Sequence, residues 1–402
     1  MSPPAAPRFG RALLEHWWLD PRGTYLNHGT VGATPRRVLA AQQALQAEIE
    51  RQPARFMVRE LTGSLDGLAA AAAQPRLRAA ADRVAAWLGA RGDDLVFVDN
   101  ASSGINAVLR SLRLAPGDEI LLTDQAYGAV ARTAAFVARE RGAQVVTVAL
   151  PFPATDAQAF VDAVEAGLTP RTRIAVLDHV TSETALVLPL AAMAERCRAR
   201  GVPVLADGAH APGALDLDIP ALGVDWYAAN LHKWAFAPRT SAVLWSAGAR
   251  EREGLHPAVV SWGLDQGWHA EFDWTGTRDP TPFLCAPEGI DFITGFLGAG
   301  AMRAHNHGLA RAAAHALGER WGTPWRTPEA MVGCMVTLPL PARLPATAEA
   351  ARRLRDALLF EHAIELPVVA RAGRLWARVS AQVYNEFDDI ERLARAVEAW
   401  GG

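Results

Sequence analysis

The residues around Lys233 in the sequence favour a chemical role for its amine. It lies in the run Asn230-Leu231-His232-Lys233-Trp234-Ala235-Phe236, in a chain that uses arginine almost everywhere else. Loss of water lowers the pKa of a lysine, and the neutral amine can attack a carbonyl carbon and form a Schiff base. Taken alone, however, such a lysine more commonly extends its amine to solvent from the end of a strand.

Asp207 changes the balance between these two interpretations. It ends the apolar run Val202-Pro203-Val204-Leu205-Ala206, which predicts a buried strand. Ligands of open α/β sheets bind at the carboxyl ends of the strands. An acidic residue at a strand end, followed by a lysine after the next strand, is what pyridoxal phosphate (PLP) requires. The carboxylate keeps the pyridine nitrogen protonated, and the lysine carries the aldehyde carbon.

These two motifs together resemble a known superfamily. The pairing of Ala206-Asp207-Gly208-Ala209-His210 with Asn230-Leu231-His232-Lys233 is similar to the class V aminotransferase superfamily of fold-type I PLP-dependent enzymes. Within that superfamily the chain most resembles the isopenicillin N epimerase-like branch. The matching motifs extend from about Tyr25 to Tyr384 and depend on their order and spacing. The resemblance implies PLP as cofactor, bound covalently to Lys233 and paired with Asp207.

A turn that opens a helix is the candidate phosphate site. Ser102 and Ser103 follow the predicted strand Leu95-Val96-Phe97-Val98. The free N–H groups and the dipole of a helix N-terminus favour an anion, although a serine there can also be a simple helix cap. The resemblance assigns the cofactor phosphate to Ser102 and Ser103, and it places His232 beside the same phosphate.

Further cofactor contacts follow from the same resemblance. Tyr127, at a position where similar enzymes often carry histidine, is expected to stack on the pyridine ring. Thr181 and Ser182 are expected to approach the phenolic oxygen of the cofactor or the substrate. His210 is expected to bind that oxygen or to orient Asp207, and a purely structural histidine is the alternative.

Arg378 is the candidate for binding a substrate carboxylate. It lies inside the apolar strand pattern Leu375-Trp376-Ala377-Arg378-Val379. A lone buried charge is costly, so either a substrate carboxylate or a structural ion pair must compensate it. The family places its carboxylate-binding arginine in a similar setting, and there Asn27 and His28 would line the substrate side.

Trp274-Thr275-Gly276-Thr277-Arg278-Asp279 is a compact polar turn. Taken alone it predicts an exposed loop. In the family this stretch reaches the phosphate of the neighbouring subunit, so Thr277 predicts a homodimer with a composite active site.

The elements that position these residues alternate from Asp94 to about Ala206. Strands alternating with helices predict a mainly parallel, doubly wound α/β sheet. After Phe283 the pattern changes to helices and strands of a smaller unit. We therefore predict a fold-type I PLP-dependent transferase with a large PLP-binding domain over residues 60–287. A smaller α+β domain comprises residues 1–30 and 288–402, and a connecting helix spans 31–59.

Composition narrows the range of partners. The net charge is −3 without basic or acidic blocks, which argues against nucleic-acid and membrane-surface partners. The resemblance implies a small amino-acid substrate. Cys197, Cys285 and Cys334 lie far apart, and His305 and His307 lack further ligands, so no metal site is predicted.

The first residues lack the apolar core of a signal peptide, and we expect a cytoplasmic protein.

The reaction itself stays open between several outcomes. A PLP enzyme removes the Cα proton of an amino acid, with Lys233 as the natural base. Epimerisation needs a second acid, for which Tyr127, His28 and His179 are candidates. A carbon-sulfur β-lyase and an aminotransferase are the next alternatives, and a non-catalytic protein that retains the fold is the last. Cysteine desulfurases of the superfamily that the chain resembles carry a loop cysteine shortly before the carboxylate-binding arginine. No cysteine lies between Leu338 and Arg378, so a persulfide-forming desulfurase is not expected.

Overall fold

A computed structural model describes residues 7–63, 70–153 and 156–401 of the chain. Residues 1–6, part of the predicted small domain and of the segment considered for a signal peptide, lie outside this range. The strands are β1 (Thr24–Tyr25), β2 (Leu95–Val98), β3 (Glu119–Thr123), β4 (Gln144–Val148), β5 (Thr172–Asp178), β6 (Val204–Asp207), β7 (Trp226–Asn230), β8 (Ala242–Ser246), β9 (Met335–Pro339), β10 (Ile364–Glu365), β11 (Val368–Arg371) and β12 (Arg374–Ser380).

Helices fill the segments between and around these strands. The α-helices are α1 (His28–Val31), α2 (Arg36–Arg51), α3 (Pro53–Arg55), α4 (Arg76–Trp87), α5 (Ala101–Ser111), α6 (Gly128–Arg141), α7 (Ala157–Gly167), α8 (Leu190–Ala199), α9 (Ala249–Arg252), α10 (Trp268–Asp273), α11 (Thr281–Leu284), α12 (Ala286–Asp291), α13 (Ala299–Arg320), α14 (Ala348–His362) and α15 (Phe387–Ala399). Within the described ranges no helix is both long and apolar enough to cross a lipid bilayer.

The central sheet has seven strands in the order β2-β8-β7-β6-β5-β3-β4. Within this sheet β8 runs in the direction opposite to the other six strands. The inner strands of the sheet are apolar on both faces, as parallel sheets covered by helices require. In the edge strand β2 likewise, Leu95 and Phe97 face one core cluster, whereas Val96 and Val98 face another. The period of two therefore builds a core on each side of the sheet.

A smaller antiparallel sheet, in the order β11-β12-β9, carries Arg378 on its central strand. The N-terminal segment joins this part of the molecule, because β1 pairs with β10 and Leu26 packs in the same core cluster as Val379. Arg11 adds an ion pair to Asp389 at 2.7 Å. The predicted α/β fold with a smaller α+β unit is confirmed, while the residue limits of the two domains stay a prediction.

Two features of the fold were not in the sequence prediction. Residues 288–317 do not form one continuous helix. A π-helical turn over Phe292–Leu297 leads to Gly298, whose φ of +76° ends that turn before α13 begins. The two-residue strands β1 and β10 were missed because they are too short to show a periodic pattern.

The segment that carries Lys233 connects β7 to β8 and is held by a close backbone approach. At Gly213, which has a φ of +85°, an added Cβ would lie 2.2 Å from the carbonyl oxygen of Trp234. Gly117 has a nearly identical φ of +86°, but a Cβ there would meet nothing within 4 Å. The two glycines thus have nearly the same φ and differ in what an added Cβ would contact.

We therefore expect Gly213→Ala to lower the free energy of unfolding by at least about 3 kcal/mol, because strain and a backbone clash add together. Gly117→Ala should cost only about 1 to 2 kcal/mol, from the left-handed conformation alone. Urea denaturation of the cofactor-free variants measures both values. Equal losses at the two positions would show that the approach of Gly213 to Trp234 does not constrain the segment.

Candidate active site

Several strands of the central sheet end at one cavity of about 400 Å³. Asp178 ends β5, Asp207 ends β6 and Asn230 ends β7, while Asn100 follows β2. Because the carboxyl ends of parallel strands share an edge, these side chains converge there. The predicted residues that line this cavity are Ser102, Tyr127, Ser182, Asp207, His210, His232, Lys233 and Arg378.

Lys233 contributes an amine with little solvent around it. Its Nζ lies 3.1 Å from Nε2 of His210. Burial, and secondarily the charge of Arg378, lowers the pKa of Lys233 from 10.5 to about 7, against the opposing effect of Asp207. Burial also holds the pKa of His210 well below its ordinary value, so this imidazole is neutral. Lys233 is the only lysine among the 402 residues of the sequence.

Asp207 lies beside a second buried carboxyl group that the sequence analysis did not select. Asp178 is its neighbour in register on the adjacent strand. Burial, followed by the charge of Asp207, raises the pKa of Asp178 well above its ordinary value. Burial raises the pKa of Asp207 as well, against the opposing effects of a hydrogen bond from the N–H of Ala209 at 3.0 Å and of the charge of Lys233. We conclude that Asp178 holds the proton of the pair and leaves Asp207 to meet a cation.

The first turn of α5 lines the same cavity through Ala101 and Ser102. Asn100 caps the helix by accepting hydrogen bonds from the N–H and the hydroxyl of Ser103, at 2.9 and 3.2 Å. Ser102 lines the cavity, whereas Ser103 directs its hydroxyl to the cap. Asn230 supports the same turn from β7, since its side-chain oxygen accepts the N–H of Ala101 at 2.9 Å. The turn thus has the form of the helix N-termini at which anions bind, and the phosphate role of Ser102 and Ser103 stays a prediction.

Arg378 is buried at 7% exposure, and its hydrogen-bond partners in the described structure are neutral oxygens. It donates to the carbonyl of Ser182, to the hydroxyl of Thr30 at 2.6 Å and to the side-chain oxygen of Asn27 at 3.4 Å. Its Nε is buried without a partner among the described residues. Burial lowers the pKa of Arg378 to about 10. The site therefore holds a desolvated cation to which no carboxylate of the described residues is hydrogen-bonded, while Glu183 acts on it only through its charge.

Two predicted residues lie behind the cavity wall instead of facing it. Both ring nitrogens of His28 are occupied, one by the hydroxyl of Tyr384 at 2.8 Å and the other by the carbonyl of Lys233 at 3.0 Å. The expectation that His28 lines the substrate side is corrected by this placement, because the ring supports the Lys233 backbone. Asn27 also stays behind the wall, where it touches Arg378 and not the cavity.

The β5–α8 connection shows a similar division. Thr181 is fully buried, and its hydroxyl accepts the N–H of Leu186 at 2.8 Å and pairs with Thr184. It holds the turn together, while Ser182 faces the cavity. The ring of His179 is bound to the hydroxyl of Tyr227 at 2.8 Å. The approach of Thr181 to a ligand, which the sequence predicted, does not fit this orientation.

Tyr127, His232 and Thr277 complete the predicted set. Tyr127 lines the cavity and is half exposed. His232 lines it as well and is fixed by a 2.9 Å contact between its Nδ1 and the carbonyl of Ser241. Thr277 is exposed on the loop after α10 and lies outside the cavity of its own chain. The roles assigned to these residues stay predictions.

Thr30 and Asp178 are two of the cavity residues to which the sequence analysis gave no role. Thr30 follows the glycine after His28, and only the tertiary contact with Arg378 reveals it. Asp178 could have been found as an acidic strand end, by the same signal that identified Asp207. In the described part of the chain, no three His, Cys, Asp or Glu side chains are grouped so that they could hold a metal ion.

The residues present fit a phosphate-bearing aromatic aldehyde. The site offers a neutral amine at Lys233, a carboxylate at Asp207 and an anion site at the first turn of α5. Nδ1 of His210 is buried without a hydrogen-bond partner among the described residues, which leaves one polar atom for a bound molecule. These are the groups that PLP needs, at one sheet edge.

Comparison with known proteins gives consistent results. The pattern that defines the aminotransferase class-V family matches residues 25–335. The isopenicillin N epimerase of Amycolatopsis lactamdurans is 36% identical over 94% of this chain and 96% of that protein. A probable chloroplastic L-cysteine desulfhydrase of Arabidopsis thaliana is 32% identical over 94% of this chain and 83% of that protein.

Solved structures show the same fold at lower identity. A lysine-to-alanine variant of the enzyme C-DES, with glycine covalently linked to its PLP cofactor, superposes with a TM-score of 0.75 at 21% identity. The superposition covers 94% of this chain and 97% of that one.

The lowered pKa of Lys233 can be measured directly, because a chain with one lysine labelled with ¹³C gives one side-chain signal. In cofactor-free protein we expect this signal to titrate with a midpoint near pH 7 instead of 10.5. Since the pKa is lower in the folded state, stability linked to Lys233 is complete above pH 10.5 and is lost as the pH falls through 7. A midpoint above pH 9 would contradict the desolvated amine.

Proposed function

The chain belongs to the class V aminotransferase family, and from this premise we propose that it is a PLP-dependent epimerase acting at Cα of an amino acid or amino-acid derivative. A PLP-dependent carbon-sulfur β-lyase is the second candidate, since relatives of similar identity carry the name L-cysteine desulfhydrase. The observation that carries the proposal is the single lysine amine, desolvated at the sheet edge beside Asp207 and beside a buried arginine whose hydrogen-bond partners among the described residues are neutral.

PLP, when bound, acidifies the Cα–H of an amino acid by delocalising the electrons left on Cα. Lys233 would hold it covalently, Asp207 would pair with its ring nitrogen, and Ser102 with the N-terminus of α5 would hold its phosphate. His210 offers the unpaired Nδ1 for a further hydrogen bond. A neutral Asp178 beside Asp207 keeps a second negative charge out of the site.

Arg378 would orient the substrate by its α-carboxylate. Its partners Thr30 and Ser182 are neutral, so a carboxylate supplies the missing opposite charge with two parallel hydrogen bonds. Binding of the carboxylate also removes part of the cost of a buried unpaired cation. The substrate is therefore fixed relative to Lys233 before a proton moves.

Lys233 would remove the Cα proton, because an amine with a pKa of about 7 is unprotonated for a large fraction of the time at neutral pH. Epimerisation needs a donor on the opposite face. His28 and His179 are bound to Tyr384 and Tyr227 and do not face the cavity. Tyr127 does line it, with its ring half exposed. We assign the second proton to the Tyr127 hydroxyl.

Nucleophilic cysteine chemistry is disfavoured in this site. Burial raises the pKa values of Cys197, Cys285 and Cys334 to about 12 each. A thiol with such a pKa is rarely a thiolate at neutral pH and is not a competent nucleophile. A lyase reaction here would therefore eliminate a sulfur leaving group directly and form no persulfide on the protein.

The reaction is tested by incubating the holoenzyme with L-amino acids in deuterated water. The epimerase proposal predicts deuterium at Cα with inversion of configuration. In Tyr127→Phe, which keeps the ring, inversion should fall by about 100-fold while exchange with retention through Lys233 persists.

Other products would favour the alternatives. A keto acid with released thiol supports the lyase, and cofactor left in its amine form supports an aminotransferase. Absence of Cα exchange with every amino acid, in holoenzyme that retains PLP, would leave the non-catalytic alternative and end the proposal.

We also propose that two copies of the chain form the active unit, with Thr277 directed to the phosphate site of the other copy. A single loop exposes four large apolar side chains, which monomers rarely leave in water. They are Val259, Val260, Trp262 and Leu264. Thr277 is exposed on the loop after α10. The next residue, Arg278, donates a hydrogen bond to Asp99 at 2.8 Å, and Asp99 precedes the cavity residue Asn100.

Trp262→Glu should shift the protein toward monomer and release PLP, because a charge would be buried in the interface. Phe360→Glu is the matched control, since Phe360 is 79% exposed on α14, in a different part of the fold. Sedimentation velocity with absorbance detection of PLP measures both properties. A wild-type monomer that retains PLP and full activity would contradict the dimer proposal.

A further inference from the structure

Glu365, at the end of β10, is a half-buried carboxylate that the proposed mechanism does not use. Its Oε1 accepts a hydrogen bond from the side-chain N–H of Asn27 at 3.0 Å. Within the described ranges of the chain it forms no ion pair, so no cation in contact neutralises its charge. Arg378 is likewise bound to neutral oxygens. Asn27 therefore lies between two opposite charges that do not touch.

The direction of the hydrogen bonds between these two charges is fixed by their chemistry, because a guanidinium only donates and a carboxylate only accepts. Nη2 of Arg378 donates to the hydroxyl of Thr30 at 2.6 Å and to the side-chain oxygen of Asn27 at 3.4 Å. The hydroxyl of Thr30 donates in turn to the same oxygen of Asn27, and the amide nitrogen of Asn27 donates to Glu365. Every donor thus points from Arg378 toward Glu365, and we call this chain of hydrogen bonds the carboxylate relay.

Backbone hydrogen bonds hold the two ends of the relay in place. The N–H of Leu26 donates to the carbonyl of Glu365, and the N–H of Ser380 donates to the carbonyl of Leu26, each at 2.9 Å. Leu26 is fully buried and directly precedes Asn27. The backbones of β10, the N-terminal segment and β12 are thus joined without the Glu365 side chain. A substitution that changes only this side chain acts on the relay and not on the backbone around it.

The orientation of the Asn27 amide depends on Glu365. An amide offers an acceptor on one side and donors on the other, and Asn27 is buried at 8% exposure. With a carboxylate at Glu365, the nitrogen of Asn27 must face Glu365 and its oxygen must face Arg378. A neutral group that both donates and accepts removes this requirement. The amide is then free to turn over and to place its N–H donors against those of Arg378, which leaves both without an acceptor.

Building on the proposed function, we infer that Glu365 is a positioning residue for the substrate carboxylate, although it does not line the cavity. It keeps the oxygens of Asn27 and Thr30 on Nη2 of Arg378 and so holds the guanidinium in one orientation. A charge acts more strongly through such a partly dehydrated relay than through water. Glu365 therefore contributes to recognition of the carboxylate, whereas proton removal by Lys233 does not depend on it.

Glu365→Gln tests this role because it keeps the shape of the side chain and removes the charge. In the holoenzyme, the absorbance of bound PLP reports the affinity for L-alanine and for L-alaninamide, which differ in a carboxylate against a neutral amide. We expect the preference for L-alanine to fall by about tenfold in this variant, with the affinity for L-alaninamide changed by less than about twofold. For Cα exchange of L-alanine, KM should rise while kcat stays within about twofold.

Asp162→Asn is the matched control. Asp162 also accepts a side-chain amide, that of Gln158 at 2.7 Å, but it lies on α7 and does not line the cavity. This variant should retain the full preference for L-alanine. A preference that falls equally in both variants would reflect the change in net charge and would overturn the role of Glu365.

Asn27→Ala shows whether Glu365 acts through the relay. In this background, adding Glu365→Gln should change the preference by less than about twofold, because the two residues act on Arg378 in series. An undiminished effect of Glu365→Gln in Asn27→Ala would contradict the relay. An unchanged preference in Glu365→Gln alone would also overturn the inference.

Urea denaturation of the cofactor-free protein tests the connection independently of the reaction. Glu365→Gln should lower the urea midpoint, and this loss should shrink to about half or less when Arg378→Met is already present. Equal losses in the two backgrounds would show that Glu365 and Arg378 act independently. If neither L-alanine nor L-alaninamide changes the absorbance of PLP while the two losses differ, the proposed function fails and the relay does not.

Discussion

Desolvation of the Lys233 amine is the constraint on which the site depends. A charged lysine in this position would be costly, and the cost appears as a pKa lowered to about 7. The surrounding structure keeps the amine in place through its backbone. His28 bonds to the Lys233 carbonyl at 3.0 Å, and Gly213 allows the chain to pass close to Trp234. Burial is thus the main cause of the lowered pKa of Lys233, with the charge of Arg378 second, and His210 lies 3.1 Å from the amine.

The second costly group, Arg378, lies where three separate segments meet. Thr30 and Asn27 come from the N-terminal segment, Ser182 from the β5–α8 connection, and Arg378 itself from the small sheet. Neutral oxygens orient the guanidinium but do not neutralise it. A desolvated amine and a guanidinium with no hydrogen-bonded carboxylate among the described residues therefore line one cavity. Under the proposed function they would meet the carbonyl of a cofactor and the carboxylate of an amino acid.

The sequence was sufficient to predict which residues lie at the sheet edge. It was less informative about the orientations of polar side chains behind the cavity wall. Asp207 and Lys233 could be located because buried strands have a clear pattern and their carboxyl ends share an edge. The orientations of His28 and Thr181 could not be predicted, because a polar residue in a loop can face either a ligand or its own backbone. Only tertiary contacts show that Tyr384 and Lys233 occupy both nitrogens of His28. Thr30 was missed for the same reason, since its partner Arg378 is distant in sequence.

The most direct test of the account is to identify the amine that carries PLP. Holoenzyme reduced with borohydride and digested should yield one peptide with the mass of reduced cofactor, and that peptide should contain Lys233. Because the chain has no other lysine, the N-terminal amine is the only competing primary amine, and Lys233→Ala should abolish the adduct. A wild-type protein that binds PLP without any adduct at Lys233, or an adduct that persists in Lys233→Ala, would contradict the account.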